Sequence, residues 1–149
     1  MIKLTTTRRS TAALARLLAA VDRVRAPETV HAHCDLPCGV YDPAQARIEA
    51  DAVKAIMEKY HESKDETFRE RAIMIKEQRA ELLKHHLWVL WTDYFKPEHL
   101  EQYPDLHTLF WNATKAAGES KKSVDPAVAQ KTIDLVAEIE KIFWETKKA

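Results

Sequence analysis

Glycine is nearly missing from this 149-residue chain, which has only Gly39 and Gly118, and the alternating, turn-bounded runs that mark strands are missing with it. In their place Ala, Leu, Glu, Lys and Arg abound, the composition of helices. An excess of one charge is lacking too. Lys plus Arg and Asp plus Glu number 23 each, which removes the basic footprint of a nucleic-acid binder. No hydrophobic run reaches the length needed to cross a bilayer. Cysteine is confined to positions 34 and 38. A disulfide between them would close a very small loop and a reducing cytosol would keep both as thiols, so they read as ligands rather than as a staple. With 46% hydrophobic residues in a length typical of one domain, the chain has apolar material for a single core.

What is present concentrates in one stretch, His33-Cys34-Asp35-Leu36-Pro37-Cys38-Gly39-Val40-Tyr41-Asp42-Pro43. Thiolates are soft donors that favour copper, zinc, iron-sulfur clusters or square-planar nickel, and imidazole suits the same borderline metals. A compact metal site is therefore expected. Pro37 fixes its own φ and permits a cis peptide after Leu36 that would turn Cys38 back toward Cys34. Gly39 permits a left-handed turn, and Asp42-Pro43 reads as a helix cap followed by proline at the first helical position. A zinc site from His31, His33, Cys34 and Cys38 stays open, although structural zinc sites usually join two ligand pairs across a longer loop. A thiol redox switch is a further alternative.

The 32 residues before this hook form a separate segment. They carry six basic side chains (Lys3, Arg8, Arg9, Arg16, Arg23, Arg25) and two acidic ones (Asp22, Glu28), so +4 stands against −4 on the rest of a chain of zero formal net charge. Ser10 or Thr11 can cap a helix with Leu14, Leu17, Leu18 and Val21 on one face, and Pro27 ends it. The basic start and the apolar 12–21 stretch allow a secretory signal, but Arg16 interrupts that stretch. Arg8-Arg9 leaves a twin-arginine route as another alternative. The choice among these readings comes from the resemblance described next, which favours a cleavable internal propeptide in a cytoplasmic protein.

The hook resembles that of nickel-containing superoxide dismutase, and so do KEQRAEL at 76–82, DYFKP at 93–97 and IFWETKK at 142–148. The resemblance runs from His33 to the C-terminus and leaves residues 1–32 outside. It implies a leader removed by a dedicated maturation protease between Ala32 and His33, one nickel ion per subunit, superoxide as substrate and a homohexamer of bundles. It also implies the ligands: the amine and imidazole of His33, the backbone nitrogen and thiolate of Cys34, and the thiolate of Cys38.

That cut has a chemical reason. The freed amine, the next amide nitrogen and the Cys34 sulfur are consecutive along the chain and can close small chelate rings, with Cys38 in the fourth planar position. An N₂S₂ plane suits Ni(II), whereas zinc would draw the thiolates into a tetrahedron. Converting two superoxide ions and two protons to O₂ and H₂O₂ needs a metal that superoxide can both reduce and oxidise. Each ~59 mV of lowering in a one-electron couple requires a tenfold greater preference for the oxidised metal, and two thiolates with a deprotonated amide supply it. The uncut chain lacks the amine and is expected to be inactive. A cut before His31 would instead give a copper or nickel site without redox cycling, so the competing class is a non-catalytic metal-binding helical bundle.

Behind the hook the expected fold is all-α, an antiparallel up-down four-helix bundle (42–149) carrying the N-terminal hook (33–41) and a helical leader (1–32). The first helix runs from Pro43 to about His61, with Ala44, Ile48, Ala52, Ala55, Ile56 and Tyr60 as its apolar face. Asp65 caps the second, with Phe68, Ala72, Ile75, Leu82, Leu83, Leu87 and Leu90 facing inward. After a turn over 97–103, a third carries Leu106, Leu109, Phe110 and Ala113 and ends at Gly118 as its C-cap. Asp125-Pro126 opens the fourth, with Val128, Leu135, Ile139, Ile142 and Phe143 inward. Trp88, Trp91, Trp111 and Trp144 read as core or subunit contacts. A di-metal carboxylate site would need two Glu-x-x-His motifs, and only Glu58 to His61 fits. His85, His86, His99 and His107 read as surface or packing residues.

The resemblance also assigns residues around the metal. Glu49 and Arg79 would hold the His33 imidazole, as outer partners commonly do for metal-bound histidine. Tyr41 would cover the open face of the nickel, with Asp35 nearby and Tyr94 and Lys96 around the approach. Since the processed chain carries −4, a local positive field must steer an anion. Lys96 is the first choice for that role and Arg79 the second.

Overall fold

The computed structural model describes residues 39–148, so the leader helix expected around 12–21 and most of the hook lie outside the described residues. From Gly39 onward the chain is one compact unit. Its elements are α1 (Ala44–Glu62), α2 (Glu66–Val89), a π-helical turn (Leu90–Tyr94), α3 (Pro97–Gln102), α4 (Leu106–Lys122) and α5 (Pro126–Lys148). There is no strand among the described residues. Helix α1 packs on α2 and α5, and α4 packs on the same two. The long helices thus close an antiparallel four-helix bundle in which successive helices are neighbours.

The helix starts follow from three aspartates. The Asp42 carboxylate accepts from the Ala44 amide at 2.7 Å, Asp65 from Thr67 at 3.0 Å and Asp125 from Ala127 at 2.9 Å, each satisfying an amide without a partner in the first turn. The α1–α2 and α4–α5 connections repeat one device, Ser-x-Asp. The serine hydroxyl accepts from the aspartate amide, at 3.2 Å for Ser63 and 3.0 Å for Ser123, while the aspartate caps the following helix.

The core is built from Leu83, Leu87, Leu90, Leu106, Phe110, Val136, Ile139 and Phe143, with alanines at the closest approaches, among them Ala46, Ala50, Ala113 and Ala117. Each large side chain adds about 1.5–3 kcal/mol on burial. The inward stripe of α1 differs from the expected one: Ala46, Ala50, Val53 and Met57 are buried, while Ile48 is half exposed. Helix α2 likewise buries Ala72, Ala80, Leu83 and Leu87 and leaves Phe68, Ile75 and Leu82 about 40% exposed. Both helices carry two apolar stripes, and periodicity alone does not say which one a neighbour covers. Of the tryptophans, Trp88, Trp111 and Trp144 are exposed and only Trp91 packs against the core.

Two further expectations are corrected. Residues 97–102 form a short helix, not a plain turn, because proline at the first helical position and the His99 ring, whose Nδ1 accepts from the Lys96 amide at 3.2 Å, finish its N-terminus. Gly118 lies inside α4, which continues to Lys122. The cap comes from another helix. The Lys76 side chain, 2% exposed, extends from α2 and donates to the carbonyls of Ser120 at 2.9 Å, Lys121 at 2.5 Å and Ser123 at 2.6 Å. A cation is favourable at the negative end of a helix, and here it also satisfies carbonyls that α4 leaves open. Burial pushes the Lys76 pKa down, opposed by Glu77.

Candidate metal centre

Of the residues expected to act, Ala32, His33, Cys34, Asp35 and Cys38 lie outside the described residues. Tyr41, Glu49, Arg79, Tyr94 and Lys96 are described, and four of them meet in two pairs. Asp42 and Pro43 start α1, which puts Glu49 on a face directed at α2. There the Arg79 guanidinium donates to both carboxylate oxygens, at 3.2 and 3.5 Å. The Glu49 side chain is 9% exposed and that of Arg79 40%. A carboxylate this sheltered needs a cation and several hydrogen bonds. His86, two turns beyond Arg79 on α2, is also influenced by this carboxylate. Burial and the neighbouring His85 push its pKa down, and Glu49 pulls it back up.

The second pair is aromatic. The rings of Tyr41 and Tyr94 stand 5.8 Å apart at 56°. Tyr94 is positioned by the π-turn, where the Phe95 amide reaches back to the Leu90 carbonyl at 3.1 Å. Such widened turns often redirect side chains at functional sites. The Tyr94 hydroxyl shares a 2.9 Å bond with Thr146 Oγ1 and donates to the Phe143 carbonyl at 3.4 Å. Its ring packs 4.2 Å from Phe143 and stacks on His99 at 5.7 Å. Lys96, two residues on, is exposed.

Sequence reasoning missed three contributors. Lys147 donates to the Tyr41 carbonyl at 2.9 Å and the Gly39 carbonyl at 3.4 Å, Thr146 holds Tyr94, and His99 caps α3 while stacking on Tyr94. The partners of Lys147 and Thr146 are remote in sequence, so no local spacing marks them. Gly39 adopts φ +65°, the left-handed turn expected where the hook joins the bundle. No group of three or more His, Cys, Asp or Glu able to hold a metal occurs among the described residues. The bundle thus offers a sheltered carboxylate–guanidinium pair, a pair of tyrosines and a lysine-held hook root, while the soft donors stand in the segment just before it.

A family model described as nickel-containing superoxide dismutase matches residues 28–147. The nickel superoxide dismutase of Streptomyces seoulensis is 64% identical over 130 residues, covering 87% of this chain and 99% of that protein. That of Streptomyces coelicolor is 62% identical over the same length and shares. Among solved structures, a nickel-containing superoxide dismutase with nickel ligation of the oxidised state is 67% identical at TM-score 0.76, and a native nickel superoxide dismutase is 63% identical at the same score. Each of these covers 78% of this chain and all of the solved one.

Proposed function

This chain belongs to the nickel-containing superoxide dismutase family, and from that membership we propose how its hook and bundle divide the work. It is a nickel-dependent superoxide dismutase that converts two superoxide radicals and two protons to O₂ and H₂O₂. The carrying observation is 64% identity over nearly the whole of a nickel superoxide dismutase, together with a bundle that matches solved members at TM-score 0.76.

His33, Cys34 and Cys38 would hold nickel in the processed chain. The donor set fits it, since two thiols, an imidazole and a freed amine within six residues would supply the soft, anionic donors that suit nickel. When bound, nickel supplies the one-electron exchange with superoxide. The protein's own groups do the rest. Glu49, gripped by Arg79, would accept from the His33 ring and keep the imidazole oriented. Tyr41 and Tyr94 would narrow the approach to small ligands and order water for proton delivery, a role that Asp35 would share. Lys96 provides the local positive field that draws in an anion against a net negative domain.

Residues 1–32 are a leader removed by a maturation protease between Ala32 and His33. Support comes from the relatives: a solved chain covered in full accounts for 78% of this chain, whereas a curated relative covered to 99% accounts for 87%, so the solved chains are the shorter ones. No described helix is long and apolar enough to cross a membrane, and we place the enzyme in the cytoplasm. It assembles as a homohexamer, supported by the unpartnered stripe of Phe68, Ile75 and Leu82 on α2. Ile75→Asp should lower the assembly mass in light scattering, and an unchanged mass would count against that face.

The test of the site is metal content and superoxide decay for a chain beginning at His33, compared with Cys34→Ser and Cys38→Ser. The unsubstituted form should hold about one nickel per chain, and each serine variant should lose the thiolate-to-nickel absorption and the activity. A serine variant that kept both would remove that cysteine from the ligand set.

A further inference from the structure

Lys147 and Tyr41 are 106 positions apart in the chain, and nothing in the sequence joins them. The Lys147 ammonium nevertheless donates to the main-chain carbonyls of Tyr41 and Gly39. The ammonium is itself seated, 5.1 Å from the centre of the Phe143 ring and 5.9 Å from that of Trp144, close enough for cation–π attraction. Lys147 also stands in the last turn of α5, where a positive charge suits the helix end.

The same turns of α5 hold Tyr41 a second way. Its ring lies against Tyr94, whose hydroxyl is bonded to Thr146 and Phe143. The stretch 39–41 is thereby fastened to residues 143–147 through both backbone and side chain. Gly39, in its left-handed conformation, is the residue that follows Cys38 in the chain.

We propose that Lys147 is a positioning residue for the metal hook: by gripping the Gly39 and Tyr41 carbonyls it fixes the bundle end of the chain that continues into Cys38. This rests on the reading of residues 33–38 as the nickel-binding segment. The physical gain is entropic. A segment whose root is already fixed loses less conformational freedom when its donors close on a metal, and so releases the metal more slowly. A steering role for the charge would change the encounter with superoxide but not the retention of nickel, so retention is the discriminating quantity. Lys147 is exposed, while Phe143, Ile139 and Leu87 are fully buried.

The experiment uses the chain beginning at His33, nickel-loaded, as the unsubstituted protein and as Lys147→Met, Lys147→Arg and Lys115→Met, the last a control at an exposed lysine on α4. Each is challenged with excess chelator, and loss of the thiolate-to-nickel absorption is timed. Lys147→Met should lose nickel about 10-fold faster, in the range seen when outer partners of metal ligands are removed. Lys147→Arg, which keeps charge and donors, should recover most of the difference, Lys115→Met should match the unsubstituted protein, and the metal-free thermal midpoints should agree. Equal release rates for Lys147→Met and the unsubstituted chain would overturn the proposal. So would faster release accompanied by a matching fall in the metal-free midpoint, which would mark a general loss of structure. If the unsubstituted chain takes up no nickel at all, it is the assignment of the hook that falls.

Discussion

The two ends of the bundle are closed by different chemistry. Where α1 meets α2 and α4 meets α5, the chain turns in three residues, each turn repeats Ser-x-Asp, and the interior amine of Lys76 gathers three carbonyls. The His61 ring adds a 2.8 Å bond to the Val124 carbonyl. Each of these groups is engaged with main chain. At the opposite end the helices are joined through a π-turn and a short helix, aromatic rings pack alongside the Asp42 cap, and the lysine that holds the backbone is exposed. The first end stabilises the fold. The second carries the side chains of Tyr41, Tyr94 and Lys96. The contrast between Lys76 and Lys147 shows how one residue type serves either purpose, according to whether its carbonyls belong to a helix end or to a loop.

The sharpest way to test that contrast is at Lys76. Lys76→Met removes the donor to three sheltered carbonyls and should destabilise the protein by about 3 kcal/mol, given ~1.5–3 kcal/mol for hydrogen bonds to a charged group and the cost of unsatisfied acceptors. Thermal or urea unfolding would read this, and nickel release from the folded protein should be unchanged. Equal stability would mean that water replaces the amine and that this end is not the stabilising one.

Next in size is the other carboxylate-bearing face. Glu49→Gln should lower kcat/KM by about 10–100-fold, the usual effect of losing an outer partner of a metal-bound histidine, and should alter the spectrum of the oxidised metal. Activity at the unsubstituted level with an altered spectrum would remove the orienting role. Lys96→Ala should have a smaller effect, a several-fold lower rate with a flatter dependence on ionic strength. A lower rate with the original salt response would assign Lys96 to something other than steering.

The smallest effect concerns pH. The folded protein depresses the His86 pKa, chiefly by burial, so below about 6.5 the unfolded chain takes up a proton that the folded chain resists. Stability should therefore fall as pH drops through that value and recover as it rises. His86→Gln should flatten this part of the profile, and an unaltered slope would show that other groups carry it.

Much of this architecture was legible in advance because it is written locally. Asp42, Asp65 and Asp125 announce their helices through capping within two residues, and Leu83, Leu87, Leu90, Ile139 and Phe143 recur at the helical period and are buried as expected. Glu49, Arg79, Tyr41 and Tyr94 were singled out by the resemblance, not by periodicity, and the Glu49–Arg79 and Tyr41–Tyr94 contacts are seen only in the structure. What was illegible depends on partners remote in sequence. Ile48, Phe68, Ile75 and Leu82 look like core until one knows that α1 and α2 turn their other stripes inward. Gly118 looks like a cap until Lys76 is seen to supply one from α2. Lys147 looks like a solvated helix charge, since nothing near it in sequence says that it reaches Gly39 and Tyr41.

The central claim is that this bundle becomes a superoxide dismutase when its chain begins at His33. The measurement that bears on it most directly is superoxide decay, with metal content, for nickel-loaded full-length chain and for the chain starting at His33. The account predicts activity confined to the His33 form, with about one nickel per chain. Equal activity in both would show that the freed amine is unnecessary, and a His33 form that binds nickel without accelerating superoxide decay would contradict the assignment of the hook as a catalytic centre.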